Sequence, residues 1–380
     1  MFRSVSLLAL TVLFAACQDY SSSAIAGPSE AAMNNAQGGG IAGTVYTQTN
    51  AAGGNAVLVF PRAANGSLGA AAMVATGGNG SGAGLGSQGS VTLSPDGAWL
   101  LVTNAGSNEI SAFSVGSGGA LTLRGKASSG GTNPISVTVH GDIVYALNAG
   151  GTGNISALRL ASNGTLTPIA GSTRALSTGA AGPAEVSFDP SGAWLVVTEK
   201  ATNSIDTWRV GGDGLAFGRV VNASSGATPF GFTFTNDGVL AVTEAFGGAV
   251  DASAVSTYTI NANGTLNVIS ASSATTETAA CWITASKNGK FVYATNAGSA
   301  SISGYSARHG DLALLDADGK TATTGAAAID VGISDNGQFV YNVNNGSHTI
   351  TGFAVSQSRG DLSARGSASI PVGAVGIAVR

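Results

Sequence analysis

The pattern Val-Thr-Leu-Ser-Pro-Asp-Gly-Ala-Trp-Leu-Leu-Val-Thr-Asn-Ala-Gly starts at Val91 and returns in degraded form at Val137, Val186, Phe232, Ile283 and Val331. A spacing of roughly 45 to 50 residues marks a repeated supersecondary unit that buries its apolar face only by stacking on its neighbours. Each copy reads as strands. Val91–Leu93 enters the turn Ser94-Pro95-Asp96-Gly97, a second apolar run from Trp99 ends at Asn104, and a third from Ile110 to Val115 leads through Gly119 and Leu121 into a more polar fourth. Turn residues bound every run, and four strands per unit make one propeller blade.

The turn between third and fourth strands counts the blades. A Gly closely followed by Leu recurs at Gly66/Leu68, Gly119/Leu121, Gly164/Leu166, Gly214/Leu215, Gly264/Leu266, Gly310/Leu312 and Gly360/Leu362. The first copy begins at Gly43 in a second strand, with no inner strand before it, whereas Ala374 to Val379 reads as an inner strand with no blade after it. The expectation is an all-β, seven-bladed β-propeller over 41–380, with blade one closed by the C-terminal strand so that no sheet edge is left free.

Residues 1–40 read differently. A charged start followed by an apolar run too short for a permanent span is a secretory signal, and Leu13-Phe14-Ala15-Ala16-Cys17 resembles a bacterial lipobox, with Cys17 as the lipidated residue. Ordinary signal cleavage is the alternative. Residues 18–40, rich in Ser, Ala, Gly and Asn, read as a flexible tether. Gln18 in place of the Asp that commonly retains lipoproteins in the inner membrane favours an outer-membrane or periplasmic location. Acylation of Cys17 would exclude an intramolecular disulfide to Cys281, leaving the fold to blade packing and ring closure.

Charged residues are 9% of the chain and the net charge is −4. That excludes the clustered Lys and Arg that nucleic acid requires. The Gly-rich stretch 77–89 lacks the Gly-Lys-Ser/Thr ending of a phosphate-binding loop and reads as a flexible connector between blades. No zinc motif, nucleophile elbow or cofactor fingerprint occurs, so neither metal nor cofactor is expected. A monomer acting on a small-molecule or carbohydrate-like ligand, or on an envelope protein, fits the composition.

In a propeller the loops from second to third strand and the connectors between blades share one face around the channel. The second strands end in Asn50, Asn104, Asn148, Glu199, Glu244, Asn296 and Asn344, one per blade. The Asn residues are candidate ligand contacts, though a side-chain amide at a strand end also serves to hold loop backbone. Glu199 and Glu244 break the Asn pattern and are held equally as turn caps or as catalytic carboxylates. Lys200 is the principal cation on this face, and Trp282, in a connector, is placed either to stack on a ligand or to fill the core. Cys281 with His348 is a further conceivable pair.

The seven copies, with Ser-Pro-Asp-Gly turns and Val-Thr-Asn strand ends, resemble the seven-bladed lactonase family that includes 6-phosphogluconolactonase and carboxymuconate cycloisomerase. The likeness covers nearly all of 41–380 and is most telling from Gly182-Pro183-Ala184-Glu185 through Thr198-Glu199 to Trp208. It implies that Glu199 matches the family's acidic site residue. Similar members carry Arg and His where this chain has Ala184 and Glu185, and the later connectors 279–282 and 326–329 hold no cation. An anionic substrate needs Arg or Lys to replace its lost hydration.

Three readings follow. The leading one is an envelope-anchored propeller that binds a small ligand or partner on its channel face with hydrolysis weakened. A second is a lactone hydrolase using Glu199 with Glu185 or Glu244, which requires those carboxylates to converge. A third, purely structural reading predicts a plugged or empty channel.

Overall fold

The computed structural model describes residues 41–380; the expected signal, the expected lipidation at Cys17 and the expected tether lie outside the described residues. Seven antiparallel sheets succeed one another along the chain. The blade built from Val91–Leu93, Trp99–Asn104, Glu109–Val115 and Leu121–Ser128 shows the order that the repeat implies, each strand hydrogen-bonded to the next. In the third and sixth blades the outer strand is broken in two, at 166–168 and 174–175 and at 311–314 and 322–323.

Blade one closes as expected. Val375–Val379 is its innermost strand, with Val45 opposite Val379 and Tyr46 opposite Ala378. The outer part runs through Ala56–Arg62 to Ala72–Ala75. Buried Arg62 reinforces the seam, donating to the carbonyls of Ala42 and Arg380.

The recurrent Gly of the third-to-fourth turn has two physical causes. All seven lie at φ between +82° and +90°, where an L side chain is strained. Six of the seven carbonyls also receive a hydroxyl from the preceding blade: Tyr46 donates to Gly119, Tyr145 to Gly214, Thr207 to Gly264, Thr257 to Gly310, Tyr293 to Gly360 and Tyr341 to Gly66, at 2.6–2.9 Å. The last of these carries blade seven back onto blade one. Several of these glycines also lie under an aromatic ring. A Cβ on Gly66 would meet Phe339 at 2.3 Å, and one on Gly360 would meet Phe291 at 2.7 Å. Blade contact, rather than the hairpin alone, demands glycine here.

One expectation about the chain's links changes. The connector 77–89 is held rather than loose: Gly80 and Gly82 donate to the carbonyls of Ala51 and Asn50, and Gln88 N–H donates to Ala184. Cys281 is fully buried on the inner strand of blade six.

Candidate functional site

The ring of second-strand ends is where the blades hold their incoming connectors. Asn104 accepts from Thr76 at 2.7 Å and donates to Ser111 at 2.8 Å. Asn148 donates to the Ser129 carbonyl, Asn296 to Ser301 and Ser303, and Asn344 to Thr349 and Thr351 while accepting from Gly325 N–H. All four are fully buried. The Oδ1 atoms of Asn148 and Asn296 have no partner among the described residues.

Glu199 and Glu244 do the same work with carboxylates. Glu199 accepts the N–H of Ser177 at 2.8 Å, the Ser177 hydroxyl, and the Thr202 hydroxyl at 2.7 Å. Glu244 accepts Gly226 N–H at 2.7 Å and the hydroxyls of Ser224, Ser256 and Ser272. Both are fully buried, and each set of partners belongs to one blade and the connector entering it. A carboxylate offers about four acceptor sites, so an incoming connector rich in N–H and hydroxyl donors suits Glu better than Asn.

The third strand adds a feature that sequence reading passed over. Opposite the residue two before the strand end, five blades place a hydroxyl: Ser111, Ser156, Ser256, Ser303 and Thr351. Each bonds the strand-end side chain of its own blade. Blade four has Asp206 at that position, facing Glu199. Both Asp206 oxygens are buried with no donor among the described residues, and Arg219 comes only to 3.9 Å. Burial, followed by the charge of Glu199, pushes its carboxyl up to about 7.

Glu185 occupies a different place. A register shift in the inner strand between Pro183 and Glu185 re-aims the chain, and Glu185 Oε2 accepts Phe232 N–H of the next blade at 2.6 Å. Burial drives its carboxyl well above the usual range, the Phe232 N–H opposes that, and the charge of Asp330 adds to the rise. Among the described residues no hydrogen bond joins any two of Glu185, Glu199 and Glu244. Gln88 reaches from its connector into this region, donating to the carbonyls of Phe232 and Ile283 and accepting Ile283 N–H. The inner strands of blades five and six are thus bridged across by a side chain from the connector into blade two.

Beside this bridge lies a cavity of about 360 Å³. Its walls come from Leu85, the blade-three residues Ile135 and Ala149, the connector 179–182, Phe230, and Gly247 with Gly248. Lys200 is its sole ionisable lining residue among those described. The Lys200 ammonium donates to Gly86 O at 2.6 Å and lies 4.6 Å from the Phe230 ring centre. Its side chain is partly covered, and burial pushes it down to about 8. Trp282 forms the floor beneath Phe230, with ring centres 4.9 Å apart; it is 1% exposed and its Nε1–H donates to Ser87 O at 2.8 Å. Asn104, Asn148, Asn296, Asn344 and Trp282 do not line this cavity. Sequence reading reached Lys200 as a scarce cation, but not the Ala and Gly walls, which look like any other connector until the fold brings them together.

The model of a family described as lactonase, seven-bladed β-propeller, matches residues 53–178 and 180–377. A search of curated proteins returned no significant match. Among solved structures, the periplasmic gluconolactonase PpgL of Pseudomonas aeruginosa is similar at TM-score 0.72 and 15% identity, over 89% of this chain and 98% of that one. A candidate 6-phosphogluconolactonase of Bacteroides uniformis is similar at TM-score 0.70 and 19% identity, over 89% and 99%. Another from Bacteroides fragilis is similar at 0.67 and 17%, over 89% and 98%. At these identities the likeness is one of fold.

Proposed function

This chain belongs to the seven-bladed β-propeller lactonase family, and from that membership we propose that it binds a small, largely apolar molecule at the channel face between blades three, four and five. One observation carries the reading: apart from Lys200, Thr152 and Thr228 the cavity there is walled by apolar and glycine residues, while the carboxylates that hydrolysis would need are turned elsewhere. Lactone hydrolysis needs an activated water within reach of a base and a donor for the developing oxyanion. Glu199 and Glu244 spend their oxygens on connector donors, and Glu185 lies outside the cavity lining. The Gln88 bridge joins the inner strands of blades five and six without lining this pocket, which favours binding over a purely structural role. A volume of about 360 Å³ falls within the usual range for small-molecule sites.

Export and anchoring through Cys17 belong to the same proposal, resting on the signal and the lipobox-like run alone.

The test is calorimetric titration of the full chain with the neutral δ-octalactone, with hydrolysis followed in parallel. Saturable binding without turnover, lost in Ala201→Trp, is the expected result. Ala201 is exposed on the cavity wall, so the bulky ring fills the pocket without disturbing the core. Turnover that disappears in Glu199→Gln would instead establish the hydrolase, and absence of binding would overturn the pocket reading.

A further inference from the structure

Within the pocket, Lys200 stands out chemically. An ammonium carries three N–H donors. Gly86 O takes one and the Phe230 face covers one side, leaving donor capacity toward a cavity with no other charge among its described lining residues. Among the described residues no carboxylate forms an ion pair with Lys200, although six other ion pairs occur in the same fold. A partly covered cation in an apolar site is costly unless something of opposite charge meets it.

From this geometry we infer that the pocket takes an apolar monocarboxylate, its tail along the Leu85, Ile135, Leu176 and Phe230 wall and its carboxylate on the Lys200 ammonium. The inference rests on the pocket reading above and deepens it. One ammonium matches one negative charge. A phosphate, with a second charge and three acceptor oxygens, would find no second cation among the described lining residues, whose hydroxyls are those of Thr152 and Thr228 alone. The size agrees: at about 30 Å³ per water-sized atom, 360 Å³ holds about a dozen non-hydrogen atoms, the scale of a medium-chain acid. Lys200 follows directly on Glu199, whose bonds to Ser177 and Thr202 hold the strand end and the 176–182 connector. The cation therefore projects from a fixed base.

Octanoate and 1-octanol, matched in length and differing in charge, are titrated into the full chain at pH 7. Octanoate should bind about tenfold to a hundredfold more tightly, the range for a hydrogen bond to a charged group. In Lys200→Met, which keeps the stem over Phe230, the two probes should bind alike, and Ala201→Trp should lose both. Equal affinities in the unaltered chain, or a preference that survives in Lys200→Met, overturn the inference while the pocket reading stands. If neither probe binds the unaltered chain, both fall.

Discussion

Replacing Asp206 by serine should stabilise the propeller at pH 8 and change it little at pH 4. Five other blades carry Ser or Thr at this position, bonded to the strand-end side chain, and blade four alone among these six sets two carboxyls against each other. Folding raises the Asp206 carboxyl from 3.8 to about 7. A group whose pKa is raised in the folded state contributes stability that is fully present below its unfolded value and lost as pH rises through its folded value. Between about pH 4 and pH 7, then, the native state holds a proton that the unfolded chain has released. Stability should fall by about 1.4 kcal/mol for each pH unit across that window. The rise of roughly three units, which already includes the opposing charge of Arg219, sums to about 4 kcal/mol at most. Serine removes that penalty and adds a donor for Glu199. The assay is urea unfolding of both proteins from pH 4 to pH 8, read as the difference between them. A gap that widens with pH, reaching a few kcal/mol by pH 8, is expected. A difference independent of pH, or a variant less stable at pH 8, would refute the paired-carboxyl argument.

Tyr341→Phe removes the hydroxyl that ties blade seven to Gly66 of blade one and should cost about 1 kcal/mol or more in urea unfolding, because it leaves a buried carbonyl unpaired. Glu244→Ala strips the acceptor from Gly226 N–H and three serines, so a loss of at least about 2 kcal/mol and faster amide exchange at Gly226 are expected; a neutral result would show that water replaces the carboxylate freely. Intact-mass measurement of the full chain produced in a bacterial host tests the proposed anchor: acylation at Cys17 should appear as added lipid mass and disappear in Cys17→Ser. Because the chain has two cysteines, one sulfur cannot serve both a lipid thioether and a disulfide, and a disulfide-linked mass without lipid would reject the anchor.

The architecture was legible because it is periodic. Turn chemistry at each Gly closely followed by Leu and alternation in each strand repeat seven times, so errors in one copy are corrected by the others, and the unpaired inner strand at 374–379 announces the C-terminal closure. The site was legible only in part. Lys200 stood out as a scarce cation, and Glu199 and Glu244 as breaks in a run of Asn, but a letter at a strand end does not say which donors surround it. The Ser177 and Gly226 amides that occupy those carboxylates come from connectors some twenty residues away, on another layer of the fold. Asp206 escaped notice because serine and aspartate both pass for polar strand residues until cross-strand register sets one against Glu199.

What sequence determined by itself was everything that depends on local backbone preference and on repetition: seven four-stranded blades, their turns and the seam. Tertiary structure alone decided what each polar group faces. Gln88 became a bridge over Phe232 and Ile283, Trp282 a floor with its N–H satisfied, and small residues from three blades a pocket around one ammonium. The physical reason is range. Turn and strand propensities act over a few residues, whereas burial, hydrogen-bond satisfaction and charge pairing depend on neighbours that only ring closure brings within a few ångströms.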